Sequence, residues 1–424
     1  MILANLSVPL LGLVDTAILG HLENASTLAA AALGAHIISL LFWSFGFLRM
    51  STTGLTSRLY GANNLSEVKA ALLRALLISA ALACILMLIG RLTLGPLTTL
   101  LSSNTHISAL SATYLNIRIW SAPATLATYC FVGWFIGLGN SRAALMVLLI
   151  TNISNGLLDY WLIVILQLDI RGAALASVLA EYIGLITAVI ICLSIFKTGS
   201  LTQVIRAKLL DRKKFSALLG ANLDLFLRTI SLLLVFIIIS SAGVRLSPEV
   251  AAANAILLNL LAFSAYAMDG FAYAAESLCG RAWGKRDFRE FWLIAKESTL
   301  LALIVGIGFF VTFLVLQEPI LALYTNLVSV INEARAVYLW LVFLPLIAIW
   351  CYQLDGIFIG IGHTQTMRNA MLFSFLLVFL PLFFLNQNQS NAAIWLAFSV
   401  FHMARVISLA LPLIAIYRTQ KREA

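Results

Sequence analysis

Long apolar segments recur along the whole chain and are separated by short polar stretches. A helix needs about 20 mostly apolar residues to cross a bilayer, and the 424-residue chain holds twelve such segments. With 62% hydrophobic and 11% charged residues, the chain has too little polar surface to form a water-soluble globule. It is therefore predicted to be an all-α polytopic membrane protein and not a cytosolic enzyme. The expected spans are 1–20, 28–56, 70–90, 108–139, 143–166, 173–196, 216–242, 250–279, 295–317, 334–361, 369–386 and 392–416.

The apolar runs are unbroken, as in residues 231–240. A transmembrane β-barrel shows weaker segments of alternating polarity, so helices are expected instead. All five cysteines lie inside apolar runs and lack metal-type spacing. We interpret them as small core residues, not as a disulfide framework or a metal site.

The net charge of +9 comes from positive residues that cluster in the short loops between apolar runs. With both termini in the cytoplasm, the inner loops and tail hold 19 Lys and Arg residues, the outer side four, and four more lie in or near spans. This asymmetry predicts cytoplasmic termini and gives no support to a nucleic-acid partner. The first apolar segment lacks a basic leading region and a small-residue cleavage site, so we interpret it as a first span that starts upstream of Met1.

The chain repeats itself at a constant spacing, which we call the repeat offset and which equals the separation of Gly133 from Gly356. GWFIGLG from Gly133 aligns with GIFIGIG from Gly356, and RLYG from Arg58 aligns with RAWG from Arg281 in the same register. Two homologous six-helix lobes of the same orientation are therefore expected, an arrangement suited to alternating access around a central cavity. The predicted domains are an N-lobe at 1–196, a cytoplasmic linker at 197–215 and a C-lobe at 216–424.

Two carboxylates of the first half, Asp15 and Asp159, fall inside predicted spans. Placing a charged side chain in the membrane interior costs about 2.5–3.5 kcal/mol or more, so a charged residue inside a span is expected to have a specific role. Asn155 lies four residues before Asp159, on the same face of the fifth span. Carboxylate and amide oxygens suit Na⁺, and a buried carboxylate beside a second one can hold a proton near neutral pH. These residues are therefore candidates for ion coupling.

Pro9 precedes Asp15 by six residues in the same predicted helix, where a proline permits a kink. A change in this kink could couple protonation to helix bending, so Pro9 is the predicted hinge. The alternative is that the two aspartates form static ion pairs with an arginine of a neighbouring span, such as Arg49 or Arg118.

Polar residues in the spans of the second half form a candidate substrate-binding wall. Asp224 and Arg228 are four residues apart, so an ion pair within one helix is the simpler interpretation for them. His36 and His402 could relay protons, although packed core histidines are the simpler alternative. A partly acidic wall would suit cationic amphiphiles with aromatic rings. Its other predicted members are Asn222, Asp269, Tyr273, Glu276, Tyr352 and Asp355.

Four motifs carry a resemblance to a known family: PLLGLVDTAILGHL from Pro9, ITNISNGLLDY ending at Tyr160, DGFAYAAESLCGRAWG from Asp269 and DGIFIGIGHTQTMRN from Asp355. Together they resemble the multidrug and toxic compound extrusion (MATE) transporters, specifically their DinF-like branch, over essentially the whole chain. The resemblance implies a twelve-helix exporter with two pseudo-symmetric lobes. It further implies that an inward H⁺ or Na⁺ gradient drives the export of drugs, mostly organic cations.

The resemblance also implies roles for individual residues. Relatives often have threonine where this chain has Ser177, and the exchange keeps a hydroxyl. The Na⁺-driven branch has a glutamate in span seven that is not clearly matched here, because Asn222, Asp224 and Arg228 occupy that region. This difference favours coupling through the N-lobe. The implied ion-coupling residues are Asp15, Asn155, Asp159 and Ser177, and the implied acidic position of span ten is Asp355 with nearby Tyr352.

From these observations the chain is expected to be a cation-coupled multidrug antiporter of the bacterial inner membrane, with H⁺ favoured over Na⁺ as the coupling ion and no other cofactor. The expected partners are small toxic organic compounds and the lipid bilayer, and the protein is expected to be a monomer. One alternative is a lipid-linked glycan flippase of the same superfamily, which would need a strongly cationic cavity. A second alternative is a membrane receptor or scaffold that transports nothing.

Overall fold

A computed structural model of the chain describes residues 25–101, 104–195, 211–385 and 390–423. Within these ranges, eleven helical segments are long and apolar enough to cross a membrane. Each one overlaps one of the predicted spans from 28–56 onward, which confirms the all-helical membrane fold. The predicted first span at 1–20, including Pro9 and Asp15, lies outside the described residues.

The first of two compact units ends at Asn222. A 3-10 turn at Ile119–Ser121 leads from its fourth helix to its fifth, and a π-helix at Tyr160–Ile165 continues the sixth. The helices of this unit are α1 (Ala25–Trp43), α2 (Phe47–Gly61), α3 (Leu65–Leu101), α4 (Thr105–Arg118), α5 (Ala122–Gly137), α6 (Ser141–Asp159) and α7 (Asp169–Ile195).

The second unit begins at Leu223, inside helix α8 (Arg212–Leu246). Helix α8 therefore starts within the predicted linker at 197–215. A second π-helix at Phe373–Phe379 interrupts the penultimate span. The remaining helices are α9 (Pro248–Lys285), α10 (Phe288–Val315), α11 (Gln317–Tyr324), α12 (Val328–Ile361), α13 (Thr364–Leu372), α14 (Leu380–Leu385) and α15 (Asn391–Glu423).

The helices run several residues past the predicted spans. Helix α3, for example, covers Leu65–Leu101 where the predicted span is 70–90. An apolar run marks the part of a helix that lies in hydrocarbon, whereas the backbone hydrogen bonds continue into the polar ends. Many apolar side chains on the helix surfaces are exposed, such as Leu92 at 71% and Ile190 at 62%. Such surfaces fit lipid and not water as the solvent.

The helix boundaries repeat with the offset found in the sequence. The end of α5 and the end of α12 are both followed by a glycine with a positive φ, 76° at Gly139 and 83° at Gly362. The repeat is therefore one of backbone structure as well as of sequence. Helices α1, α3, α4 and α6 begin at Ala25, Leu65, Thr105 and Ser141, and helices α9, α10, α12 and α13 begin one repeat offset later in each case, at Pro248, Phe288, Val328 and Thr364.

Close helix packing explains the repeated glycines. A Cβ atom added to Gly133 of α5 would lie 2.4 Å from the carbonyl oxygen of Arg49 in α2. In the second unit, a Cβ on Gly356 of α12 would lie 2.5 Å from the carbonyl oxygen of Ala272 in α9. Arg49 and Ala272 are themselves separated by the repeat offset, so each unit contains the same contact between the same two helices. Only glycine allows two backbones to approach this closely.

The contact recurs one turn further along each pair of helices. A Cβ on Gly137 would lie 2.8 Å from the Thr53 carbonyl oxygen, and one on Gly360 would lie 2.9 Å from the Glu276 carbonyl oxygen. Thr53 and Glu276 are again separated by the repeat offset. The two glycines in each unit therefore form a small-residue stripe that holds α2 to α5 and α9 to α12.

Equivalent residues also start the third helix of each unit. The Asn64 side chain accepts a hydrogen bond from the Glu67 backbone N–H at 3.3 Å, and the Asp287 side chain accepts one from the Glu290 backbone N–H at 2.9 Å. Both are N-cap contacts, which satisfy donors that the first turn of a helix leaves without partners.

The substitution Gly133→Ala is expected to destabilise the first unit. The added methyl group meets the α2 backbone, which cannot move aside as a flexible side chain would, so the cost should be that of overpacking, about 1–3 kcal/mol. Thermal unfolding of the purified protein, followed by fluorescence-detected size-exclusion chromatography, should show a midpoint several degrees lower.

Gly308→Ala is the matched control, since nothing lies within 4 Å of a Cβ at that helical glycine. It should leave the midpoint unchanged or raise it slightly, because alanine is the better helix former. Equal midpoints for the two variants would contradict the proposed backbone contact.

Candidate functional site

Helix α6 has a polar inner face that carries two of the predicted coupling residues. Asn155 and Asp159 are 2% and 1% exposed, and the Asn155 Nδ2 donates to Asp159 Oδ2 at 2.8 Å. On the opposite face, Ile153 and Leu157 are 60% and 68% exposed, as lipid-facing residues would be. The structure thus brings together the amide and carboxylate that the sequence placed four residues apart.

Helix α7 places the third described coupling residue on the side that faces α6. A Cβ added to Gly184 of α7 would lie 2.1 Å from the Thr151 Oγ1 of α6, so the two helices are in close contact there. Ser177 precedes Gly184 by seven residues, close to two helical turns, and therefore lies on the same face of α7. Its side chain is buried. The fourth predicted coupling residue, Asp15, lies outside the described residues, as does the predicted hinge Pro9.

Asp159 is the last residue of α6 before the π-helix Tyr160–Ile165. The Leu166 N–H donates to the Trp161 carbonyl at 3.0 Å, five residues back, which is the hydrogen bond of a π turn. Gln167 and Asp169 then have positive φ values of 51° and 46°, and the chain turns into α7. Single π turns in α-helices occur frequently at functional sites, and this one immediately follows the buried carboxylate.

The alternative interpretation named Arg49 or Arg118 as a static partner of the aspartates, and Arg118 has other contacts. The Arg118 Nη1 donates to the Ser121 Oγ at 2.8 Å, and its guanidinium lies 5.7 Å from the centre of the Phe42 ring. Among the described residues, the ion pairs of the first unit do not include one between Arg118 and Asp159.

A buried ion cluster lies in the second unit. Asp355 of α12 accepts hydrogen bonds on Oδ2 from Arg405 of α15, at 2.9 Å, and from Arg228 of α8. All three side chains are at most 9% exposed. The Arg405 guanidinium also lies over the Phe401 ring, 5.7 Å from its centre. One carboxylate therefore joins three membrane-spanning helices.

Asp224 has its own partners, both from α13. The Arg368 Nη1 donates to Asp224 Oδ1 at 2.6 Å, and the Thr364 Oγ1 donates to Oδ2 at 2.8 Å. The expected ion pair between Asp224 and Arg228 within α8 is therefore wrong. Buried charged groups gain more from well-aligned donors on neighbouring helices than from the i,i+4 neighbour on their own helix.

The predicted wall needs correction at Asp224 and Asp355, because neither presents an uncompensated carboxylate. The negative charge of Asp269 acts on the phenol groups of Tyr266 and Tyr352. Tyr352 is in turn within range of the Arg228 and Arg405 guanidinium groups, so it belongs to the same cluster. Asp224 and Asp355 of the wall are therefore paired with arginines, and the contact of the wall with a substrate stays a prediction.

The other predicted wall residues differ in their surroundings. Glu276 is buried, Tyr273 is half-buried, and both lie on α9. Asn222 is the last residue of the first unit, and its Oδ1 accepts a hydrogen bond from the Ser51 Oγ at 2.5 Å.

The two span histidines have different environments. His402 is buried, with its Nδ1 3.0 Å from the Phe398 carbonyl oxygen and its ring in edge contact with Phe398 and Phe401. These contacts are those of a packed core histidine. His36 lies on an exposed part of α1.

The sequence analysis assigned no role to three charged residues whose surroundings the structure describes. Arg405 and Arg368 were counted as charges but not assigned as partners of the acidic residues. Glu181, a carboxylate inside the sixth span, was overlooked, although it follows Ser177 by four residues and so shares its helix face. A search for every charge within a span would have found Arg405 and Glu181, whereas Arg368 lies just outside the predicted span 369–386.

The substitution Asp355→Asn is expected to destabilise the second unit strongly. It leaves two buried guanidinium groups facing each other without a carboxylate, and breaking a buried ion pair by removing one partner costs about 3–5 kcal/mol. The thermal midpoint of the purified variant, or its yield of monodisperse protein, should fall accordingly.

The comparison variant is Glu318→Gln, which removes one partner of the exposed ion pair between Arg335 and Glu318. Exposed pairs contribute little because water and salt screen them, so this variant should unfold like the parent protein. A stable Asp355→Asn protein would show that the cluster does not hold these helices together.

Comparison with known proteins places the chain among transporters. It is 38% identical over 413 residues to "DNA damage-inducible protein F" of Escherichia coli (strain K12), covering 97% of this chain and 89% of that protein. It is 23% identical over 385 residues to "Probable multidrug resistance protein NorM" of Halalkalibacterium halodurans, covering 89% and 83% of the two chains. The solved structure described as "Crystal structure of MATE in the bent conformation" matches with a TM-score of 0.87 at 16% identity, covering 100% of this chain and 94% of that chain.

The MatE family model matches the chain twice, at residues 1–161 and 225–385. The starting points of the two matches are separated by nearly the repeat offset that relates equivalent helix boundaries. The chain belongs to the MatE family of multi-pass membrane transporters.

Proposed function

We propose that this transporter is a cation-coupled antiporter that exports toxic organic compounds, many of them cationic, by alternating access. One relative supports the substrate class, since it is named "Probable multidrug resistance protein NorM". The proposed coupling residues are Asp15, Asn155, Asp159 and Ser177. The proposed drug-binding residues lie among the polar wall residues named above.

The buried Asn155–Asp159 pair carries the proposal. Its carboxylate lies in a membrane-spanning segment and is 1% exposed, yet the hydrogen bond that the Asn155 side chain donates to it comes from a neutral amide. The amide donor leaves the negative charge of the carboxylate in place, which supports a role for this pair in binding a cation. The facing Ser177 adds an oxygen of the type that Na⁺ accepts as a ligand.

A proton gradient would supply enough free energy for this work. One proton moving inward yields about 2.3 kcal/mol per 100 mV of membrane potential and about 1.4 kcal/mol per pH unit. A tenfold concentration gradient of an uncharged compound costs about 1.4 kcal/mol. For a monovalent cation exchanged with one proton the two potential terms cancel, so the pH difference alone drives the export or more than one proton is needed. Ion binding must also favour one conformation over the other, because a ligand shifts an equilibrium only by its differential affinity.

The proposed coupling ion is H⁺, ahead of Na⁺. The acidic residues of span seven and span ten, Asp224 and Asp355, are held by arginine partners at hydrogen-bond distance. That arrangement leaves the first unit as the proposed place of coupling. No further cofactor is proposed, and the protein is proposed to act as a monomer.

The proposed location is the inner membrane of a bacterium, with both termini in the cytoplasm. The distribution of Lys and Arg residues between alternate loops supports this orientation.

The substitution Asp159→Asn should abolish gradient-driven export without loss of protein. Asparagine keeps the size and one acceptor oxygen but cannot bind a proton or carry the charge that holds Na⁺. The measurement is efflux of a cationic dye from proteoliposomes that contain the full-length protein. The matched control is Glu290→Gln, which removes an exposed carboxylate paired with Lys285 and should transport normally.

A second set of vesicles identifies the ion, with pH and sodium gradients imposed separately. Export with the pH gradient alone supports H⁺, and export with the sodium gradient alone corrects the ion to Na⁺. Full activity of Asp159→Asn would overturn the coupling role. If no ion gradient drives dye export, a flippase assay with fluorescent lipid-linked sugars tests the alternative substrate class.

A further inference from the structure

Helix α10 exposes a continuous stripe of side chains along its length. The apolar members of this stripe are spaced so that they lie on one face of the helix, and they are Leu293, Leu300, Ile304, Ile307 and Val311. Arg289 and Lys296 are also exposed, and they lie four residues before and three residues after Leu293. The stripe that faces lipid on α10 therefore includes two cations near the start of the helix.

The last turns of α15 have the same arrangement. The exposed apolar side chains of this helix also follow a helical spacing, in the order Met403, Ile407, Leu411 and Ile414. Arg418 is exposed and follows Ile414 by four residues, so it continues the stripe. The sequence adds Lys421 and Arg422 shortly beyond it. The stripe of α15 thus ends in positive charge, whereas that of α10 begins with it.

An aromatic contact brings these two helix ends together. The Trp292 Nε1 of α10 donates to the Gln420 Oε1 of α15 at 2.8 Å, and its ring meets the Tyr417 ring edge-on, with 5.0 Å between the ring centres. Trp292 lies between the two cations of α10 along the chain, and Tyr417 directly precedes Arg418. The three exposed cations therefore lie around the Trp292–Tyr417 contact, a region that we call the α10–α15 corner. Tryptophan and tyrosine are enriched where a membrane protein meets the headgroup layer.

The positive charge of the α10–α15 corner is not balanced by neighbouring acidic groups. Glu290 of α10 is already paired with Lys285, at 3.0 Å. Glu297 is exposed and follows Lys296 directly in the chain. Among the described residues, the three cations of the corner form no ion pair with this or any other carboxylate. A basic patch of this kind at the end of membrane-spanning helices attracts anionic lipid headgroups.

We propose that the α10–α15 corner binds the phosphate group of an anionic phospholipid. Arginine donates paired hydrogen bonds to phosphate oxygens, and lysine contributes a point charge. Lys296 lies about 10 Å further along the helix axis than Arg289, and its long apolar stem lets the amine extend back to the headgroup layer.

The two apolar stripes favour a lipid over a free phosphate ion as the occupant. They lead away from the cations along α10 and α15, so acyl chains attached to the bound phosphate can lie against them. Free phosphate has no apolar part to make this contact. The inference needs only that the chain spans a membrane, so it does not depend on the proposed transport function.

The experiment measures binding of acyl-labelled fluorescent phosphatidylglycerol to the purified full-length protein in a non-ionic detergent, by fluorescence anisotropy. Phosphatidylcholine with the same label is the reference, because its choline group cancels the phosphate charge. The parent protein should prefer phosphatidylglycerol. Each cation near a headgroup changes affinity about fivefold, so Lys296→Gln should weaken phosphatidylglycerol binding by about that factor and leave phosphatidylcholine binding unchanged.

Two triple variants separate a defined site from general attraction between charges. The first combines Arg289→Gln, Lys296→Gln and Arg418→Gln and should lose the preference for phosphatidylglycerol. The matched control combines Arg142→Gln, Arg212→Gln and Lys213→Gln, which remove the same charge from exposed positions of the first unit, and it should keep the preference. Both should unfold at the temperature of the parent protein, because exposed side chains contribute little to stability. Equal loss of preference in both triple variants, or no preference in the parent protein, would overturn the proposal.

Inorganic phosphate tests the other source of the same ligand chemistry. Added at the same ionic strength as sodium chloride, it should displace the labelled phosphatidylglycerol no more than chloride does. Displacement specific to phosphate would contradict the lipid assignment and identify the corner as a site for the free ion.

Discussion

The cost of placing charge in hydrocarbon governs the interior of this protein. A carboxylate that is buried away from water needs a polar or charged partner to compensate for the lost hydration. In the second unit, Asp224 and Asp355 find guanidinium groups on other helices, and these contacts join α8, α12, α13 and α15. In the first unit, the Asn155 amide donates a hydrogen bond to Asp159. This contact stabilises the carboxylate but does not neutralise its charge. The contacts in the second unit join separate helices, whereas the described contact in the first unit lies within one helix.

The repeat shows which features a duplicated backbone must keep. Gly133 and Gly356 are both retained because each meets a carbonyl oxygen of a partner helix, and no side chain fits there. The surroundings of one buried glutamate are not retained. Glu67 is buried against Arg74 and Lys214, whereas its counterpart Glu290 is exposed and paired with Lys285. Backbone packing is therefore common to the two halves, and the chemistry of the side chains has diverged.

Much of the architecture could be predicted from the sequence, because the solvent itself imposes the length and polarity of each span. The Asn155–Asp159 pair was also predictable, since residues four apart on one helix are neighbours in any fold. Contacts between helices were not, because spacing within one helix says nothing about a partner on another, as the Arg228–Asp355 contact shows. The π-helices went unpredicted too. A run of apolar residues has the same composition whether its hydrogen bonds span four residues or five.

The π-helix at Tyr160–Ile165 has a further consequence for the mechanics of α6. A π turn holds one residue more than an α turn, so the chain before it and the chain after it follow different hydrogen-bond registers. Moving this extra residue along the helix by one position exchanges one backbone hydrogen bond for another and rotates the intervening side chains about the axis. Asp159, the last residue before this π-helix, lies where such a change of register would rotate the side chains.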